Sequence, residues 1–331
     1  MWSAFPVIRK YLQGCSASSY NEAKLAKDHF GGHVHLYAPA YKEEEFDALM
    51  GLSDRISFNS LSQWQLFSNK ALNAGKSCGL RVNPQINEVT TALYNPSGAQ
   101  SRLGIPDTEL QTLPDGIEGL HVHALCENEA DSTARLIESV EKRFGHLLDK
   151  IKWLNLGGGH LMTRKGYNLN LLIRVLSNFR KRHPSLQIVL EPGSAIAWDT
   201  GPLISTVLDI IQRDSINIAI LDTSATDHMP DVLEMPYRPN VRHAGKPEEK
   251  KHTYRLGGLS CLAGDVIGDY SFDNKLEIGY KIIFEDMMHY TMVKTTMFNG
   301  LNHPTIAIQK ENGAIEVIKQ FSYTDYQDRL S

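Results

Sequence analysis

Up to about residue 198, short apolar runs alternate with stretches in which apolar positions recur every third or fourth residue. The runs Cys15 to Ser19, His33 to Ala38, Arg55 to Asn59, Gly79 to Asn83, Gly119 to Leu125, Ile151 to Leu156 and Gln187 to Leu190 read as strands. Asn21 to Phe30, Leu61 to Ala74 and Asp131 to Phe144 read as helices between them. Strands and helices in alternation predict parallel strands with helical crossovers, hence a (β/α) barrel. Past residue 198 the helical pattern fades. β-prone segments follow at Leu203 to Ile211, Ile216 to Leu221, Thr253 to Ser260, Lys281 to Phe284, Tyr290 to Phe298, Thr305 to Gln309 and Ile315 to Phe321. The pattern predicts an α/β plus β chain, with a barrel over residues 1–198 and a mostly β domain over residues 199–331. Met229 to Lys251, holding four prolines and mixed charge, reads as a loop. A closed (β/α) barrel has eight strands, whereas seven runs are visible and the chain opens in a helical pattern at Phe5 to Leu12.

Composition narrows the classes of partner. At 331 residues and 42% hydrophobic, the chain can bury the cores of two domains. With 34 basic against 38 acidic residues it offers no bulk attraction to nucleic acid or to an anionic membrane. No apolar run reaches the roughly twenty residues of a membrane span, and Met1 to Pro6 lacks the charged start and long apolar core of a signal peptide, so a cytoplasmic location is expected. Cys15, Cys78, Cys126 and Cys261 are scattered without a CxxC pair, which suits reduced thiols and argues against a structural metal or a disulfide framework.

Candidate chemistry gathers at the ends of the apolar runs. Gly157-Gly158-Gly159 closes one, and successive glycines there can turn backbone N–H groups toward a phosphate; a tight strand-to-helix turn is the alternative. Glu191, in Glu191-Pro192-Gly193, closes the next, and its carboxylate is placed either for a protonated ring nitrogen or simply for solvent. His121 and His123 share one face of their run, so at least one projects into the barrel, as a ring to stack on a cofactor, as a hydrogen-bonded core residue, or as a metal ligand, for which carboxylate partners at suitable spacing are not evident. In the second domain Cys261 lies four residues before Asp265 in a glycine-rich stretch, either a proton donor beside an amine-recognising acid or a buried structural thiol. Tyr290 and Phe298-Asn299-Gly300 add an aromatic-plus-turn pattern.

In this order and spacing, the triglycine, Glu-Pro-Gly, strand-end histidine, Cys-x-x-Gly-Asp and late Tyr before Phe-Asn-Gly resemble the fold-type III pyridoxal phosphate decarboxylases of the ornithine and diaminopimelate type. Longer strings resemble the carboxynorspermidine decarboxylase branch: Tyr37 to Phe46, Phe58-Asn59-Ser60 with Leu61 to Trp64, Asn95-Pro96-Ser97 through Gly104, and Asp222 to Pro230. The resemblance implies an alanine-racemase-like (β/α)8 barrel followed by a β domain, a homodimer, and pyridoxal 5'-phosphate as cofactor. It implies that His123 stacks on the pyridine ring, Gly157, Gly158 and Gly159 cradle the phosphate, Tyr290 also reaches the phosphate, and Glu191 pairs with the ring nitrogen beside the substrate. Cys261, acting across the subunit interface, is then the proton donor, and Asp227 and Asp265 hold amino groups of a polyamine. The implied reaction is that of a carboxy-lyase of polyamine biosynthesis, converting carboxynorspermidine or carboxyspermidine to norspermidine or spermidine and CO₂.

Two departures stand against that pattern. Leu262 and Ser194 replace the residues by which diaminopimelate decarboxylases differ here, which favours a cationic tail over a distal carboxylate. The family's Schiff-base lysine falls before the segment Trp2 to Pro6, and no lysine here replaces it by motif: Lys152 opens its strand at the wrong end, and Lys10, Lys24 and Lys27 belong to helical surface patterns. Two expectations follow. Either Met1 is an internal methionine of a full-length decarboxylase, or the chain is a lysine-lacking, inactive paralogue that serves as a dimerisation partner or polyamine binder.

Overall fold

The computed structural model describes residues 2–89 and 94–331; Met1 lies outside them. The chain divides into two units, Met1–Ile196 and Ala197–Ser331.

In the first unit, β1 (Gly14–Ala17), β2 (His33–Tyr37), β3 (Arg55–Phe58), β4 (Ser77–Asn83), β6 (Ile117–His121), β7 (Trp153–Asn155) and β8 (Gln187–Val189) pair in that order, with the short β5 (Ile105–Pro106) on β4. All these pairings are parallel. Each of the seven expected runs forms one of these strands. Helices Leu61–Asn73, Ala130–Leu148 and Leu169–Arg182 lie between successive strands. Local chemistry starts two of them and the shorter helix Tyr20–Leu25: the Ser60, Asn168 and Ser19 side chains accept the N–H groups of Gln63, Leu171 and Glu22, which satisfies first-turn donors the helix cannot pair itself.

Alternation along these strands separates two faces. Val34, Leu36, Ile56, Phe58, Leu80, Val82, Leu120 and Leu154 are buried and form one apolar core with Phe46, Phe67, Leu136 and Phe179 of the helices. The other face carries His35, Ser57, Arg81, His121 and Asn155, also buried. Side chains of β2 and β7, which are not neighbours in the sheet, meet there, with Asn155 Nδ2 3.0 Å from His35 Nδ1, so the sheet curls into a partial barrel with this face inside. Trp153 fills the lower part of that interior. A Cβ on Gly119 or Gly79 would stand 2.1 or 2.3 Å from its ring, so both positions need glycine, and the indole N–H donates to Ser77 Oγ at 2.9 Å.

The second unit is built on a mixed sheet in the order β12 (Val266–Phe272), β11 (His252–Gly257), β10 (Asn217–Leu221), β9 (Leu203–Gln212) and β13 (Lys281–Phe284), with a separate hairpin of β14 (Ile306–Gln309) and β15 (Ile315–Lys319). Its core holds Val207, Leu221, Leu256, Ile267, Tyr270 and Phe284. Two expectations are corrected. Tyr290 to Phe298 is not a strand but a short helix, Tyr290–Val293, leading to the turn Phe298–Gly300, because the N–H groups of Thr296 and Phe298 are taken by Asp227 rather than by a neighbouring strand. Val266–Phe272 is a strand that the pattern missed, and its backbone stays in the ladder against β11 through Gly268-Asp269.

Candidate active site

The upper end of the curled sheet is a polar network centred on Asn155. Gly157 N–H donates to Asn155 Oδ1 at 2.8 Å, which fixes the amide's orientation and turns Nδ2 toward Glu191 Oε1 at 2.6 Å and His35 Nδ1 at 3.0 Å. His35 Nδ1 is therefore an acceptor, and its Nε2–H donates to Ser57 Oγ at 2.8 Å. Burial pushes His35 down to about 3, so it is a neutral ring at physiological pH.

Glu191 follows β8, its side chain 16% exposed. Burial opposes its ionisation, but His121, with Nε2 3.5 Å from Glu191 Oε2, together with His35 and Ser16, outweighs burial and holds the carboxyl well below the usual carboxylate range. Both ring nitrogens of His121 are buried without a hydrogen-bond partner among the described residues. An ionised carboxylate beside an unsatisfied imidazole fits a flat heterocycle that presents a protonated nitrogen.

His123 and the triglycine form one piece. Gly158 N–H donates to His123 Nδ1 at 3.0 Å, and burial, reinforced by Arg81, pushes that imidazole down to about 3. The ring is thus neutral and fixed, as stacking requires. A Cβ on Gly157, Gly158 or Gly159 would stand 2.4, 2.5 or 2.3 Å from backbone atoms of Val122, Glu191 or Leu125, and Gly157 and Gly159 also adopt φ of +70° and +86°. The glycines are first a means of close backbone approach, since the N–H groups of Gly157 and Gly158 are engaged within the protein.

Asn155, Arg81, His35 and His121 complete this centre, and three of them escaped the motif reading. Arg81 is buried, donates through Nη2 to the His123 carbonyl at 3.1 Å, and lies 4.5 Å over the Tyr37 ring. The signal that could have found them is a polar residue at every second position of otherwise apolar strands. Lys152 stands at the opposite end of β7, 73% exposed and paired with Glu118, while Lys24 pairs with Asp28 and Lys27 with Asp54.

In the second unit Cys261, Asp227, Asp265 and Asn299 share one network. Asp265 Oδ2 accepts Ser260 N–H at 3.0 Å and its hydroxyl at 2.6 Å, and Oδ1 accepts Ala225 N–H at 2.7 Å. Asp227 Oδ1 accepts from Thr296 Oγ1 at 2.7 Å and from Phe298 N–H at 2.5 Å. The two expected amine ligands thus already organise backbone around the thiol. Cys261 itself is exposed, and Tyr290 lies 52% exposed on its short helix.

A family model described as pyridoxal-dependent decarboxylase, C-terminal sheet domain, matches residues 21–288. The chain belongs to the pyridoxal-dependent decarboxylases, and its cofactor is pyridoxal phosphate. Carboxyaminopropylagmatine decarboxylase of Synechocystis is 50% identical over all of this chain and 86% of its own length. The carboxynorspermidine/carboxyspermidine decarboxylase of Campylobacter jejuni is 42% identical over 98% of this chain and 87% of its own. The crystal structure of carboxynorspermidine decarboxylase from Campylobacter jejuni complexed with norspermidine superposes with a TM-score of 0.92 at 41% identity, covering 99% of this chain and 89% of that one. Diaminopimelate decarboxylase from Helicobacter pylori, at 16% identity and a TM-score of 0.82 over 99% of this chain and 86% of that one, shares the fold. The architecture is that of the fold-type III decarboxylases.

Proposed function

We propose that the chain decarboxylates a carboxylated polyamine, carboxynorspermidine or carboxyspermidine, to norspermidine or spermidine and CO₂. The observation that carries the reading is the Glu191 carboxyl group, held by Asn155 at 2.6 Å at the end of β8 and faced by His121 at 3.5 Å. When bound, pyridoxal phosphate supplies an electron-accepting ring for the bond that loses CO₂. Glu191 keeps the ring nitrogen protonated, which strengthens that capacity. His123, neutral and fixed by Gly158, would hold the ring, the side-chain-free turn at Gly157, Gly158 and Gly159 would leave room for the phosphate, and Tyr290 would be a further phosphate ligand. Cys261 delivers the proton that replaces CO₂ at the substrate carbon, from the neighbouring subunit of a homodimer. Asp227 and Asp265 draw the cationic tail by charge while their hydrogen bonds shape the loop.

A second reading has its own support: the relative at 50% identity is named for a substrate that carries an agmatine moiety, so a guanidinium tail is the competing specificity. A competition assay measuring kcat/KM for carboxynorspermidine, carboxyspermidine and carboxyaminopropylagmatine tests the choice. We expect the first two to lead by at least about tenfold; a lead for the guanidinium compound would replace them. Mass measurement in solution tests the dimer, and cell fractionation the cytoplasmic location. Among the described residues no helix is long and apolar enough to cross a membrane.

A further inference from the structure

We propose that Asn299 is the positioning residue for the Cys261 thiol, with Asp227 as the anchor that holds Asn299 in place; this rests on the proton-donor reading of Cys261. The loop that carries the thiol has left the sheet, because β11 ends at Gly257. Main-chain bonds hold Gly258 N–H on the Asp265 carbonyl at 2.8 Å and Leu259 N–H on the Thr223 carbonyl at 2.9 Å. The next three N–H groups are held by side chains: Ser260 by Asp265 Oδ2 at 3.0 Å, Cys261 by Asn299 Oδ1 at 2.8 Å, and Leu262 by Ser260 Oγ at 3.4 Å. Among the described residues, Asn299 is the one whose side chain reaches the cysteine's own backbone, and it does so from 38 residues away in sequence.

Asn299 adopts φ of +56°, in the left-handed region where glycine is free of steric cost. Backbone conformation alone would therefore favour glycine, and the carbonyl oxygen of the side chain is what glycine lacks. Asp227, fully buried, fixes the approach to Asn299 twice, through Oδ1 to Phe298 N–H at 2.5 Å and to Thr296 Oγ1 at 2.7 Å, and again through its carbonyl to Thr296 N–H at 2.8 Å. Asp227 belongs to the short helix Ala225–His228, whose first N–H donates to Asp265 Oδ1. The hydrogen bonds close a circuit, from Asp265 through Ser260, Cys261, Asn299, Phe298 and Asp227 back to Ala225. In an exposed loop, such a circuit is what holds a thiol in one place.

The test compares Asn299→Gly with Asn299→Asp in the full chain. Glycine keeps the backbone conformation and removes the acceptor; aspartate keeps an acceptor and tolerates the left-handed region. Hydrogen exchange by mass spectrometry over peptides spanning 258–264 should be about tenfold faster at the Cys261 amide in Asn299→Gly and restored in Asn299→Asp. Turnover should fall by about 10- to 100-fold in the glycine variant with KM within about twofold, because a misplaced proton donor acts after binding. Exchange and kcat both unchanged in Asn299→Gly would overturn the positioning role. Faster exchange with an unchanged kcat would leave the hydrogen bond standing and overturn the proton-donor reading of Cys261.

Discussion

The Glu191 centre and the Cys261 loop solve one problem in opposite surroundings. In each, an asparagine side chain captures the N–H of the residue that shapes the site, Asn155 for Gly157 and Asn299 for Cys261. The first asparagine is fully buried on a strand, and both its amide hydrogens and its oxygen are engaged. The second sits on a turn beside an exposed thiol, with Leu262 44% and Phe298 45% exposed around it. Every hydrogen bond of the first centre lies within one unit. The loop is held by a few hydrogen bonds that compete with water, so its precision is cheap to disturb and costly only to chemistry.

The sharpest way to break the comparison is to remove the two acting groups. Glu191→Gln should lower turnover by at least about 100-fold and weaken cofactor binding, whereas Cys261→Ala should lower product formation by a similar factor while leaving cofactor affinity within about twofold. Equal effects on affinity would erase the distinction between a binding centre and a proton donor. Next in size is stability. Asn155→Ala strands Gly157 N–H and one Glu191 oxygen in the interior and should cost about 3 kcal/mol in urea unfolding, against less than about 1 kcal/mol for Asn299→Gly at the surface.

Acid should act on the first unit before the second. Burial pushes His35 and His123 down to about 3 and His160 to about 4. The unfolded chain protonates these rings below about pH 6.5, so their contribution is fully present above that pH and is lost as pH falls toward 3, at about 1 kcal/mol per histidine over the first unit of the descent. Glu191, also depressed, adds a loss of the same sign below the ordinary carboxylate range. Urea midpoints measured between pH 7 and 5 should fall, and His35→Gln should flatten the slope by about a third. The smallest effect belongs to Lys152→Ala, which removes an exposed pair with Glu118 and should change stability by less than about 0.5 kcal/mol with turnover unaltered.

Much of this was legible in the chain. The seven parallel strands followed from apolar runs, and the triglycine and Glu191 from strand ends, because periodicity and turn chemistry act over a few residues. The same local logic misread Tyr290 to Phe298 as a strand, where Asp227, distant in sequence, claimed its N–H groups. It also missed Val266–Phe272, whose ladder against β11 keeps a Gly-Asp pair extended. Asn155 carried no motif of its own. Its partners lie 36 residues away at Glu191 and 120 away at His35, and they meet only because the sheet curls.

By itself, then, the sequence determined most of the elements, the succession of a barrel and a β unit, and the side chains available for chemistry, since these depend on residue type and short-range spacing. Only the tertiary structure decided how those residues are used. Burial holds His35 and His123 on the neutral side, neighbours led by His121 keep the Glu191 carboxyl low against its burial, and long-range hydrogen bonds turn Asp227 and Asp265 into supports for the thiol loop. Protonation state and hydrogen-bond partnership depend on distance and solvent exclusion, which exist only once the chain has folded.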